Sequence, residues 1–144
     1  MKTYWDTSAV MNAAVSAEVY AALDAGEHVT RTHTFAEFFN RMTGRGIRCT
    51  DAEGNEREVV FAADDAARWL RQFGAKVGAV DLDRSETLEA LEGAKAKGVM
   101  GRAVHDWLHV CAAAKAGADQ VFTRETDGFA RLGAVVAWPQ SGRV

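Results

Sequence analysis

Asp6, Glu37, Asp106 and Glu125 are the residues of this sequence best placed to do chemistry. Asp6 ends a strand-like run, Thr3 to Trp5. Glu37 opens the helix after a second strand, and Glu125 follows the strand-like QVFT. Asp106 lies early in AVHDWLHVCAAA, a helix pattern that is apolar almost throughout. A half-buried acid there is costly unless paired or bound to a cation. Carboxylates about 4 Å apart repel by about 4 kcal/mol at an effective dielectric near 20, and a divalent cation removes that penalty. Oxygen-only ligands favour Mg²⁺ or Mn²⁺ with water in the remaining positions. Such an ion can activate water and steady the charge on a phosphodiester.

Each acid also has a local explanation. Asp6 is a good helix N-cap. Thr34 with Glu37 three residues on matches a capping box. Asp127 follows Glu125 by two, so one of that pair can cap a helix while the other ligates. What favours a common site is topology. In open parallel α/β sheets, ligands bind beyond the carboxyl ends of the strands, where βα loops gather.

The elements that would position these acids alternate between strand and helix, which predicts βαβ units around a mainly parallel sheet. The first strand is followed by an Ala-rich helix from Ser8 to Ala25, with a break near Ser16. HVTRT is the second strand and THTFAEFFNRM the next helix. IRCTDAEGNEREVVF reads as a β-hairpin inserted at about 47–61. AADDAARWLRQFG is a helix with Ala66, Trp69, Leu70 and Phe73 on one side, and VGAV is a strand. Asp83 and Glu86 start another helix. The helix bearing Asp106 offers Val104, Leu108, Cys111 and Ala112 to the core. QVFT, a short helix and AVVAW close the chain. A length of 144 residues predicts one domain over 1–144.

Composition narrows the function classes. No apolar run approaches the roughly 20 residues of a membrane span, and the start lacks a signal-peptide pattern. Cys49 and Cys111 have no C-x-x-C spacing, which predicts a reduced, cytoplasmic protein with two buried thiols. A net charge of −3 argues against binding nucleic acid by bulk attraction. It leaves room for a local basic groove. Arg41, Arg45 and Arg48 fall together in NRMTGRGIR, and Lys95, Lys97 and Arg102 form a second group.

With those residues in view, the chain resembles PIN-domain ribonucleases, in particular VapC-type toxins of bacterial toxin–antitoxin pairs. The resemblance rests on WDTSAV with Asp6, TFAEFFNRM with Glu37, HDWLHVCAAAKAGAD with Asp106, and TRETDGF with Glu125 and Phe129. It implies a three-layer α/β/α sandwich on a short parallel sheet. The implied activity is Mg²⁺- or Mn²⁺-dependent endonucleolytic cleavage of RNA, leaving a 5′-phosphate and a 3′-hydroxyl. Asp6, Glu37 and Asp106 match the family's acidic triad and Glu125 its fourth position, where Asp or Asn is usual. Asp127 is an alternative there. Ser8 and Thr123 match small polar residues that support the site, with His109 on the face of Asp106. Arg41, Arg45 and Arg102 would hold the RNA backbone. A VapB-like antitoxin and a homodimer are implied partners. The hairpin goes beyond the minimal family pattern.

Other readings are weaker. His105 and His109 have the spacing of a zinc-protease helix, but Asp106 stands where that chemistry needs the longer Glu. A phosphotransfer protein of the dehalogenase or receiver kind also places Asp after its first strand. Ser8 occupies the place of the second acid that dehalogenases need, and no Lys follows Lys115 to serve as in a receiver. A PIN fold acting only as a binding module is a third reading, and the presence of all four acids weighs against it.

Overall fold

Tyr4 and Trp5 are fully buried neighbours in strand β1 (Lys2–Trp5), as they must be in a strand covered on both faces. The computed structural model describes residues 1–139. Five strands form its sheet: β1, β2 (Glu27–Thr30), β5 (Gly78–Ala79), β6 (Gln120–Phe122) and β7 (Val136–Ala137). Their order is β5-β2-β1-β6-β7, and every pairing is parallel. The α/β sandwich with a short parallel sheet is therefore as expected.

Register assigns the two faces. Trp5 pairs with Phe122, and both join Phe38, Met42 and Phe73 in one core. Tyr4 pairs with Val29 and Val121, and these join Ala112, Ala113 and Phe129 in the other. The first core is roofed by α1 (Thr7–Ala13), α2 (Ala17–Ala21), α3 (Thr32–Thr43) and α4 (Ala63–Gly74). Within it the Trp69 ring stacks on Phe38 and Phe73, at centroid distances of 4.9 and 5.3 Å. The second core lies under α6 (Ala103–Ala116) and α7 (Thr126–Arg131), with α5 (Arg84–Glu92) packed on α6. The hairpin is present, with β3 (Ile47–Thr50) antiparallel to β4 (Glu56–Val59) and Ile47 opposite Val59.

Local chemistry sets the element ends. The Ala-rich segment breaks where expected, because Ser16 accepts a hydrogen bond from Val19 N and starts α2. Asp83 and Glu86 form a reciprocal capping box at α5. The box expected at Thr34 and Glu37 is not there. Helix α3 begins at Thr32, and Thr34 is buried inside it, taking a hydrogen bond from the Thr30 hydroxyl at 2.9 Å.

Two burial expectations need correction. Helix α6 sinks His109, Ala112 and Ala113, and leaves Val104, Leu108 and Cys111 half-buried. Two adjacent alanines let the helix lie close on Tyr4 and Val121. Cys49, on the hairpin, and Cys111 are free and only partly buried. Among the described residues no helix is long and apolar enough to cross a membrane.

Candidate functional site

The strand order reverses at β1, where the chain has built outward to β2 and β5 and returns to place β6 on the other side. Crevices at such switch points open beyond the strands' carboxyl ends. Here the crevice is a cleft of about 540 Å³, whose lining includes Asp6, Glu37, Asp106 and Glu125. Four acids from distant parts of the chain thus share one cavity. Asp127 is exposed and does not line it.

Asp6 both caps a helix and lines the cleft. Its carboxylate caps α1 by accepting from Ala9 N at 2.8 Å. It also takes the Thr123 hydroxyl at 2.6 Å and the Ser8 hydroxyl at 2.8 Å. Ser8 Oγ in turn accepts from Arg124 N at 3.0 Å, which ties the end of β6 to the start of α1. Ser8 and Thr123 are therefore the supports of Asp6. Burial pushes its pKa up, opposed by the His109 charge and these hydrogen bonds. The cap ties the Asp6 carboxylate to the start of α1.

Glu37 projects from α3 toward His109 of α6. Its Oε1 accepts from the Thr7 hydroxyl at 2.7 Å and stands 3.4 Å from His109 Nε2. Burial works to raise this carboxyl, but the bonds from His109 and Thr7 outweigh it and hold it down at about 2. Glu37 is thus charged and well satisfied. His109 does lie on the cleft, where it contacts Glu37.

Asp106 is the contrast. It is half-buried and accepts no hydrogen bond among the described residues. Burial raises its pKa, and the charges of Glu125 and Glu37 raise it further against the pull of His109. Glu125 is exposed at the cap position of α7, yet its side chain makes no capping bond. Arg41 and Arg102 border the cleft, whereas Arg45 does not. Thr7, Asn12, Ile47, His105 and Arg124 also border it. Thr7 follows directly after Asp6, in the first turn of a capped helix, which was a usable signal. Nothing in the sequence singled out Arg124 or Ile47.

The donors suit a hard cation by type, being carboxylate oxygens. Among the described residues, no three His, Cys, Asp or Glu side chains are gathered into a ready cage. Mg²⁺ does not need one, since it keeps several waters and binds through one or two carboxylates. Asp106 has a carboxylate free for that role, and Asp6 is aligned by its donors. The residues present therefore fit an aquated divalent ion.

No protein-family model matches the chain, and no curated protein matches it. Among solved structures, the chain is similar to one in the structure of VapBC2 from Rickettsia felis bound to a DNA fragment from their promoter. That match has a TM-score of 0.66 at 13% identity and covers 96% of this chain and 99% of the other. A chain in the structure of FitAB bound to the IR36 DNA fragment matches with a TM-score of 0.58 at 18% identity, covering 95% of this chain and 94% of that one. At these identities the likeness is one of fold. Fold and cleft together define an α/β/α protein built on a short parallel sheet, with an acidic crevice at its switch point.

Proposed function

We propose that this chain is a metal-dependent endoribonuclease acting as the toxin of a VapBC-like toxin–antitoxin pair. The observation that carries the reading is the meeting of Asp6, Glu37, Asp106 and Glu125 in one cleft. The fold shared with chains from the VapBC2 and FitAB structures supports the toxin–antitoxin part. Its partners are then an RNA substrate, a VapB-like antitoxin and a second copy of the chain, in the cytoplasm.

In this reading Asp6 and Asp106 would hold Mg²⁺ or Mn²⁺, and Glu37 and Glu125 would hold water beside it. Once bound, the ion supplies activation of water and relief of charge on the phosphodiester. Glu37, held at about 2, is too weak a base to take a proton near neutral pH. It orients the attacking water as an acceptor, fixed in place by Thr7 and His109. Ser8, Thr123 and Ala9 N keep the Asp6 carboxylate aimed. Arg41 and Arg102 at the rim meet backbone phosphates.

The test is cleavage of total RNA with Mg²⁺ or Mn²⁺ and mapping of the new ends. Cleavage leaving 5′-phosphates is expected, and Asp106→Asn should lower it by about 10²-fold or more, the scale of losing one preorganised electrostatic group. A folded Asp6→Asn or Asp106→Asn variant that cuts at the parent rate would sink the proposal.

A further inference from the structure

Helix α5 is built inside out. Its sequence RSETLEALE holds two large apolar side chains, Leu88 and Leu91, and both face solvent, at 54% and 42% exposure. None of its residues is buried. The side packed on α6 is polar or small instead. There Glu86 meets Lys115 at 2.6 Å, and the Ala90 carbonyl accepts from the Trp107 indole at 2.8 Å. An amphipathic helix ordinarily turns its apolar stripe to the core, and a helix as short as α5 draws its stability from packing. Exposed leucines scattered singly need no explanation. Here both large apolar residues of one element point outward, side by side.

The charges of α5 are out of place in a matching way. Arg84 opens the helix and Glu92 ends it. A cation at the N-terminus and an anion at the C-terminus both oppose the helix dipole. Both side chains are exposed, and neither has an ion pair among the described residues. Arg84, Leu88, Leu91 and Glu92 fall at i, i+4, i+7 and i+8, the spacing of one helix face. That face is basic at one end, apolar in the middle and acidic at the other. It therefore complements a copy of itself laid antiparallel. A two-fold axis beside Leu88 sets that residue on Leu88 of the second copy and brings Arg84 opposite Glu92 of the second copy. A parallel alignment would set like charges together. Within one chain, Arg84 and Glu92 lie about 12 Å apart along the helix, too far to pair with each other.

We propose that the face of α5 carrying Arg84, Leu88, Leu91 and Glu92 is the surface on which a second copy of this chain docks, by antiparallel packing of the two helices. Such an interface is isologous, so each copy supplies both a cation and an anion. Two symmetric ion pairs then rim a leucine centre, the usual layout of an apolar middle and a polar edge. None of the four residues borders the acid cleft. The inference rests on the second copy proposed above as a partner, and not on the chemistry assigned to that cleft.

The experiment is sedimentation velocity of the full chain over a concentration series, with a thermal melt of each variant in dilute solution. The parent should pass from monomer to dimer as concentration rises. Leu88→Lys sets two cations on the axis and should stay monomeric where the parent is dimeric. Arg84→Glu should raise the dimer Kd several-fold, because it sets like charges opposite each other twice. Its dilute melting temperature should not fall, since a glutamate suits the helix N-terminus; a variant merely damaged in folding would melt lower. Adding Glu92→Arg to Arg84→Glu should restore the dimer, which no role of either residue within its own helix predicts. A double variant no tighter than Arg84→Glu alone refutes the pairing. A parent still monomeric at about 1 mM refutes the interface, since only a Kd weaker than that would remain. If the parent dimerises and Leu88→Lys dimerises equally well, the copies meet through another face and the α5 surface is refuted while the second copy stands. RNA cleavage by the parent is read separately, so failure of the nuclease reading is distinguishable from failure of this interface.

Discussion

Tyr4 Oη lies 2.6 Å from His109 Nδ1, a buried contact between the central strand and helix α6 that fixes which face the imidazole turns to Glu37. Glu37 can only accept, so the Nε2 facing it carries the proton. In a neutral ring Nδ1 is then bare and takes the Tyr4 hydroxyl. Burial raises the Tyr4 pKa, which keeps that hydroxyl protonated and able to donate. Tyr4→Phe removes the donor and leaves a buried ring nitrogen unsatisfied. A loss of about 1–3 kcal/mol is expected from urea unfolding. RNA cleavage should also fall, because Glu37 loses its oriented partner.

Glu37 gives a pH signature of one sign. Its folded pKa, held at about 2, lies below the ordinary 4.5. It therefore contributes stability that is fully present above 4.5 and is lost as pH falls through about 2. Glu37→Gln should be less stable than the parent near neutral pH, by an amount on the order of 1 kcal/mol once solvent screening is allowed for. The two melting curves should converge toward the acid end of that window. A constant gap at every pH would mean that packing, not charge, sets the difference.

These two residues also mark how far the sequence could be read. Alternating strand and helix patterns gave the sheet and its helical layers, because burial of a strand on both faces leaves a continuous apolar run. The break at Ser16 and the hairpin were legible from capping and turn chemistry. Asp6 and Glu125 were legible as acids at element ends and Asp106 as an acid early in an apolar helix, whereas Glu37, expected to open its helix, lies in the middle of α3. What pattern could not supply was the company each acid keeps. The Thr34–Glu37 spacing fits a capping box, and only the start of α3 at Thr32 reveals that Glu37 belongs to Thr7 and His109 instead. Arg124 and Ile47 reach the cleft through loop and hairpin geometry, to which periodicity is blind. The buried face of α6 departs from its apolar pattern, because His109, Ala112 and Ala113 are buried while Val104, Leu108 and Cys111 are only partly so.

Asp106 should behave oppositely to Glu37. Its folded pKa is raised above the ordinary 3.8 by burial first, then by Glu125 and Glu37. The stability tied to its proton is fully present below 3.8 and is lost as pH rises through the folded value. Asp106→Asn keeps the shape and removes the charge. At neutral pH and without metal it should melt a few degrees higher than the parent, a gain of about 1 kcal/mol or less for a half-exposed group. The gain should vanish in acid. Mg²⁺ at about a hundred times its Kd should stabilise the parent by about 2.7 kcal/mol and the variant by much less. A variant no more stable than the parent at neutral pH would show that Asp106 is not the strained acid of the cleft.

The hairpin's seat depends on Gly46. Its φ is +75°, and it joins the end of α3 to Ile47, which borders the acid cleft. Its N–H donates to Arg41 O at 2.7 Å. A Cβ there would run into Val59 O and lie 2.7 Å from Val60 Cγ2. Gly98 has nearly the same φ, +69°, with open space around it. Gly98→Ala therefore carries only the backbone strain, about 1–2 kcal/mol. Gly46→Ala carries that strain and the clash, so it should unfold at clearly lower urea than Gly98→Ala. It should also cleave RNA less well, because the hairpin must shift and take Ile47 and Arg48 with it. Equal midpoints for the two variants would mean that the hairpin gives way freely and does not hold the cleft wall.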